Sequence, residues 1–418
     1  MKVLHVSTYR TGGAGIAAYR LHKGLQALGV ASVFLYLDNE TANITRKPKP
    51  PAPPPPSLYK RVKSKILLHL FSTVNNVSKP LKEDKIEGDY EAFTSPLTDY
   101  DITLHPAYQD ADIINLHWVS DFLDFSSFFF KNTKPVVWTL HDLNPVKGGF
   151  HYSGDAACNK QLNELDARFL KIKYEALLPF QDLHVVALSK WLFNISSQSS
   201  TLKKFNHTLI PNGIDTEVFM PLDRAFSRKV LGLPADKEII LFVSEKLSVL
   251  RKGFDLLLEV IDKFEGQDNV LFCAVGISKQ VAQKNIFYLD AIRDERLMAV
   301  AYAACDVFVI PSREDNLPNV MMESLACGTP VVATPVGGIP DVVIDNFNGV
   351  LAKDISADAL YDALITFFDK KDSFDSEQIR KDFVAKYTVQ HQAAAYKALY
   401  QQMLTRKRFN EQTESISK

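Results

Sequence analysis

Short apolar runs alternate with longer stretches of helical periodicity along most of this chain. Residues 3–7 read as a strand, 11–15 as a glycine-rich loop, 16–28 as a helix closed by Gly29, and 30–36 as a second strand. Further strand-like runs fall at 113–116, 136–139 and 185–187. A second alternation begins after 210–213, with strands predicted at 239–243, 270–275, 287–289, 307–310 and 331–333. Helices are predicted at 253–264, 297–305, 318–327 and 357–368, and one long helix from 375 to 404. The charged tail from residue 405 is expected to fray. Alternation of this kind builds parallel α/β sheets that bind ligands at the carboxyl ends of their strands.

Composition narrows the class. A chain of 418 residues with 46% apolar and 23% charged positions is globular and long enough for two large α/β units. No apolar run approaches the ~18 residues needed to span a bilayer, and the first apolar stretch is too brief for a signal peptide. Cys158, Cys273, Cys305 and Cys327 lie at least 22 residues apart, so they are expected to be reduced core residues of a cytoplasmic protein. The net charge of −1 conceals a basic segment: residues 41–82 carry nine Lys or Arg and no acid. Seven of the 21 prolines fall in 48–56, predicting an extended spacer. Beyond it, Leu58, Val62, Ile66, Leu70, Val74 and Val77 form a helical stripe. That segment reads either as a peripheral contact with anionic membrane or as a packed helix with a solvated basic face.

The most informative stretch runs from Pro311 to Thr334. A strand ends at Ile310, a polar loop carries Asp315-Asn316-Leu317-Pro318-Asn319, and a helix opens near Pro318. A helix N-terminus offers free amides to phosphate. Asp315 and Glu323, eight residues apart, could bracket the vicinal hydroxyls of a sugar or ribose; equally, Asp315 or Asn316 could cap the helix and Glu323 be a solvated acid. In the first half, His117 with Trp118 and His141 with Asp142 each follow a strand directly. Asp142 is expected to orient His141 as a hydrogen-bond donor. Lys147-Gly148-Gly149 reads as a mobile loop, and Gly337-Gly338 as a turn allowing close approach of a ligand. Asp110-Ala111-Asp112 precedes a strand and reads as surface acid, and no His/Cys cluster has metal spacing, so no metal is expected.

The segment resembles the signature of the family 4 retaining glycosyltransferases, which have the GT-B fold of two Rossmann-like domains facing a cleft. Pro311, Ser312, Glu323, Gly328, Pro330, Val331, Val332 and Ala333 fall on the family frame. Asp315 stands where the family has its first Glu, in a wording similar to a subgroup from surface-polysaccharide clusters. Residues 210–219 resemble the inter-domain hinge phrase. The resemblance implies an N-terminal acceptor-side domain at 1–208 with a basic, Pro-rich insertion at about 41–85. A nucleotide-sugar domain at 209–385 and a helix at 386–418 packing back on the first domain would follow.

By position, Glu323 would bind ribose hydroxyls, Asp315 the donor sugar near the reacting centre, and Lys252 the diphosphate. The family's partner arginine falls on Leu247; Arg251, Lys246 or Arg313 would have to substitute. Gly13, Arg251, Asn316, Leu317, Pro318 and Asn319 complete the donor side. His141 joins Asp315 and Lys252 at the reacting centre, and His117, Asp142, Gly148 and Gly149 line the acceptor side. What this implies is a metal-independent hexosyl or N-acetylhexosaminyl transfer from a nucleoside-diphosphate sugar, with no other cofactor, to a glycan or lipid-linked acceptor. Nucleic acid is not an expected partner. A UDP-sugar epimerase of the same architecture and a non-catalytic sugar-nucleotide or glycan-binding protein remain alternatives.

Overall fold

The computed structural model describes residues 1–48, 88–277 and 285–416. The first sheet contains β1 (Lys2–Ser7), β2 (Ala31–Tyr36), β3 (Ile113–Leu116), β4 (Val136–Leu140), β5 (Leu183–Ala187) and β6 (Asn206–Leu209), in the order β2-β1-β3-β4-β5-β6. The second contains β7 (Glu238–Lys246), β8 (Val270–Ile277), β9 (Ile286–Leu289), β10 (Val307–Ile310), β11 (Val331–Ala333) and β12 (Gly349–Leu351), in the order β12-β11-β10-β7-β8-β9. Every neighbouring pair is parallel. The α/β architecture of two doubly wound sheets is therefore as the alternation predicts.

Helices cover both faces of each sheet, which is why the central strands β3, β4, β10 and β11 are buried at every position; β10 and β11 read as unbroken apolar runs, whereas β3 and β4 each carry one buried polar residue, Asn115 and Thr139. Strand order reverses between β1 and β3 in the first sheet and between β7 and β10 in the second. Such switch points leave a crevice beyond the strand ends, because the flanking connections depart to opposite faces.

Several boundaries differ from the sequence reading. The first helix spans Gly12–Ala27, so the glycine-rich loop is its opening turn; glycine's poor helix propensity hides this from pattern alone. The predicted long helix is two, Ser376–Val384 and Val389–Ile416, and the second continues helically through the tail expected to fray. Between them Tyr387 O accepts from Ile214 N, and Val389 N donates to Ile214 O, where the chain crosses from the second lobe to the first. Ala393, Tyr396, Leu399 and Tyr400 of the last helix then pack with Leu21, Leu25, Val137 and Val186 of the first lobe. The edge strand β6 carries Asn-His-Thr-Leu with no buried position, so it left no apolar signal. Cys273, Cys305 and Cys327 are buried, whereas Cys158 is exposed and is not a core residue. The stripe from Leu58 to Val77 lies outside the described residues. Among the described residues no helix is long and apolar enough to cross a membrane.

Candidate functional site

The second switch point brings together the loop after β7 and the loop after β10. Arg313 N donates to Arg251 O at 2.8 Å, tying the two loops edge to edge. In consequence Lys252 Nζ lies 2.6 Å from Asp315 Oδ2. Burial alone would raise the Asp315 carboxyl; Lys252 and Arg251 outweigh it and hold the group below its ordinary range. Lys252, Ser312, Asp315 and Val320 line one small cavity with Phe242 of β7 and Ile310 at the end of β10. Gly337, at φ +55°, permits this loop shape, since a Cβ there would sit 1.5 Å from Asp315 O. The close approach expected of Gly337-Gly338 is thus to the protein's own 315–316 backbone, with Gly338 N donating to Asn316 O at 2.6 Å, rather than to a ligand.

The position expected to hold an arginine is filled by Leu247, buried in the core beside Phe242 and Phe254. Of the substitutes, Arg313 is engaged with Asp255 at 2.7 Å through both Nη atoms, and Lys246 is exposed. Arg251 lies nearest, with Nη1 3.7 Å from Asp315 Oδ1. Its guanidinium stacks on Tyr152 at 3.9 Å and is forked onto Glu91 at 2.7 and 2.8 Å.

The helix Asn319–Ala326 starts at the rim of the same cavity. Pro318 precedes it as N-cap, so no side chain caps the first amides. Leu317 is in the core and Pro318 is buried, so their contribution is backbone. Glu323 is not a solvated surface acid: it is 7% exposed, accepts from Tyr302 OH at 3.1 Å, and pairs at 2.8 Å with Arg20 of the first lobe. Arg20 also meets Glu295 at 2.7 Å, while its Nε and Nη1 have no partner. Sequence reading missed Arg20. Its signal was a cation on the buried stripe of Ala17, Leu21 and Gly24, a position that demands an acidic partner.

The lobes meet along the cleft. Asn316 Nδ2 donates to His141 O at 3.2 Å, and its Oδ1 accepts from Ser189 Oγ at 2.6 Å. Asn319 Nδ2 donates to Gly13 O at 2.9 Å, and Glu314 accepts from the amides of Ser153 and Gly154. The side chain of Asn316 is accordingly committed to holding the lobes together.

Across the cleft, β3 and β4 deliver His117 and His141. His117 is 3% exposed and sits behind His141, so it does not line the cleft as expected; its Nδ1 lies 3.2 Å from His141 Nε2. Burial pulls His141 down to about 4, against the opposing pull of Asp142, so the ring is neutral at pH 7. Nor does Asp142 orient His141. Its carboxylate accepts from Trp118 Nε1 at 2.8 Å and engages His151 Nδ1 at 2.6 Å, because those partners are presented to a buried acid that needs them.

Gly148 and Gly149 are buried and closely packed rather than carried on an open loop. A Cβ on Gly148 would lie 1.7 Å from Asp166 O, and Gly149 N donates to Asp166 Oδ1 at 2.7 Å. Lys173, buried and pushed down to about 7 by that burial against the pull of Asp142 and Asp166, donates to Asn144 O, Asn144 Oδ1 and Lys147 O beneath the same loop. Asp110 and Asp112 lie at the far, amino end of β3 with Lys2. Among the described residues no group of three His, Cys, Asp or Glu side chains could hold a metal ion.

Residues 223–411 match the model for "Glycosyl transferases group 1". The chain is 29% identical over 283 residues to the D-inositol 3-phosphate glycosyltransferase of Mycolicibacterium smegmatis, covering 62% of this chain and 60% of that protein. The namesake from Corynebacterium diphtheriae is 27% identical over 317 residues, 68% of each. Among solved structures, sucrose-phosphate synthase from Thermosynechococcus elongatus superposes with a TM-score of 0.68 at 18% identity, over 97% of this chain and 100% of that one. HepE of Anabaena in complex with UDP-glucose superposes at 0.63 and 17% identity, over 96% and 100%. The fold is GT-B, and the family match covers most of the second lobe together with the last helix, which packs on the first.

Proposed function

We propose that this chain transfers a glycosyl group from a nucleoside-diphosphate sugar to a hydroxyl of a glycan or lipid-linked acceptor, with retention of configuration and without a metal. The group 1 match over 223–411 supports glycosyl transfer, and the likeness to a HepE structure holding UDP-glucose supports the donor class. The observation that carries the reading is the second-lobe crevice. There a lysine, an uncapped helix N-terminus and a carboxylate converge on one cavity at the strand switch point.

In this reading Lys252 and the amides opening the helix Asn319–Ala326 receive the diphosphate, and Arg251 supplies the second cation in place of Leu247. Glu323, released from Arg20 or sharing it, accepts from the ribose hydroxyls. Asp315 and His141 hold the donor sugar from opposite lobes. The bond from the sugar's anomeric carbon to the phosphate oxygen breaks, the acceptor oxygen bonds to that carbon on the same face, and the acceptor's proton passes to the departing phosphate. The protein's share is orientation and stabilisation of the charge on the leaving group.

Thermal shift against UDP, GDP and ADP and their hexose conjugates tests this directly, because a ligand that binds only the folded chain raises its melting temperature. The donor so found, incubated with candidate glycan and lipid-linked acceptors, is expected to yield a product whose anomeric proton coupling matches that of the donor. No shift from any nucleotide, or an inverted product, would overturn the proposal. Epimerised donor without acceptor would favour the epimerase reading instead.

A further inference from the structure

Behind His141 runs a buried chain of hydrogen bonds that reaches the C-terminal helix. His5 Nδ1 lies 2.9 Å from His117 Nε2, which also meets Asn115 Nδ2 at 2.8 Å. His117 Nδ1 meets His141 Nε2 at 3.2 Å. Asn115 Oδ1 accepts from Tyr400 OH at 2.7 Å, and Tyr396 OH joins the same cluster through Thr139 Oγ1 at 2.9 Å. His5 and Asn115 are fully buried.

These partners leave one arrangement of protons. Asn115 Nδ2 faces Leu116 O at 3.2 Å, where a flipped amide would set oxygen against oxygen, and the phenol of Tyr400 supplies the donor its Oδ1 needs. The same Nδ2 also faces Thr139 Oγ1 at 3.0 Å, so its two protons meet three acceptors; the shortest contact, 2.8 Å to His117 Nε2, makes that nitrogen an acceptor, because a proton on Nε2 would confront the amide N–H groups. His117 is neutral, since burial and then the flanking rings of His5 and His141 hold it well below its ordinary value. Its single proton is on Nδ1, donated to His141 Nε2. His5 likewise carries its proton on Nδ1, where it shares the one Nε2 lone pair of His117 with the amide, and its unpartnered Nε2 is a bare lone pair rather than a stranded N–H. His141, neutral with Nε2 accepting, carries its proton on Nδ1. That atom has no protein partner among the described residues, and it is not among the buried unpaired atoms, so it opens to the cleft.

The geometry points to His117 as a positioning residue: with Asn115 and Tyr400 it fixes His141 as the Nδ1–H tautomer and so presents a hydrogen-bond donor to an oxygen of the bound sugar. The catalytic part of this inference rests on the glycosyl-transfer reading; the tautomer part does not. A donor locked in place recognises a hydroxyl or ring oxygen, whereas the Nε2–H form favoured by free imidazole would offer a lone pair instead.

The test is nitrogen NMR of the full-length protein labelled with ¹⁵N-histidine, the His141 signals being those missing from His141→Gln. Wild type is expected to show His141 protonated at Nδ1. His117→Leu is expected to move the proton mainly to Nε2, and His117→Asn, whose amide can replace the lost donor, to keep it at Nδ1. Should His117→Leu not fold, Tyr400→Phe is expected to shift the tautomer in the same direction by a smaller amount. A wild-type Nε2–H signal, or a tautomer that neither variant changes, overturns the inference. In turnover, His117→Leu should lower kcat on the order of tenfold, with donor KM moving less than about twofold and His117→Asn recovering most of the loss. An unchanged kcat in a variant whose tautomer has moved removes the catalytic role and leaves the wiring. Absence of any transfer by wild type defeats the proposed function while the spectra still decide the relay.

Discussion

Arg20 of the first lobe and Glu323 of the second meet at 2.8 Å across the cleft, both side chains at or below 10% exposure. The carboxylate that the motif assigns to a ribose is thus already charge-paired, and the pair is one of the bonds that draw the lobes together. Removing one member of a buried ion pair leaves the other uncompensated, which costs about 3–5 kcal/mol. Arg20→Met is expected to lower unfolding free energy in urea by an amount of that order. Glu323→Gln in the same background should recover much of it, since the stranded charge is then gone. A loss confined to a few tenths of a kcal/mol would mean that the pair contributes nothing.

Lys252 and Asp315 make opposite predictions although they touch. If Lys252 stabilises the departing diphosphate, Lys252→Ala should reduce kcat by a factor on the order of 10²–10³, the usual effect of losing one good donor to a developing charge. Asp315→Asn removes the carboxylate that now occupies Lys252 at 2.6 Å. It is expected to tighten binding of the free nucleoside diphosphate while abolishing transfer. Calorimetric titration of both variants separates the two roles; weaker diphosphate binding by Asp315→Asn would contradict this assignment.

Gly148 is placed by packing. Its missing Cβ would overlap Asp166 O at 1.7 Å, so Gly148→Ala must displace the helix Asn163–Leu177 or the loop itself. Forced overpacking costs about 1–3 kcal/mol. A clear drop in melting temperature is expected even without ligand. A mobile loop would absorb the methyl group, and an unchanged melting temperature would restore that view.

Acid sensitivity should begin well above the carboxylate range. Burial lowers His5 to about 3, with His22 adding to the effect, and lowers His141 to about 4; His117 is also held well below its ordinary value, by burial and then by both neighbouring rings. Below the ordinary histidine value of 6.5 the unfolded chain binds protons on these rings that the folded chain refuses. Stability is therefore complete above pH 6.5 and falls as pH drops towards 4, by up to about 1.4 kcal/mol per pH unit for each ring. Urea midpoints at pH 7.5 and pH 5.5 should differ accordingly, and equal midpoints would show that the rings titrate normally.

Much of this molecule was legible in the linear order of its residues. Strand runs such as 307–310 and 331–333 declare themselves because a strand covered on both faces must be apolar throughout. The chemistry-bearing loops follow directly, since in parallel sheets the turn after each strand opens at the ligand edge. Lys252, Asp315, Glu323 and His141 were found by that logic together with the motif frame. Local order could not identify partners. Asp142 sits next to His141 in the chain yet bonds His151 and Trp118, Glu323 finds Arg20 303 residues away, and Asn115 is held by Tyr400 from the last helix. Those choices belong to the folded state, where every buried polar atom competes for the few donors and acceptors within about 3 Å, and backbone connectivity has no vote.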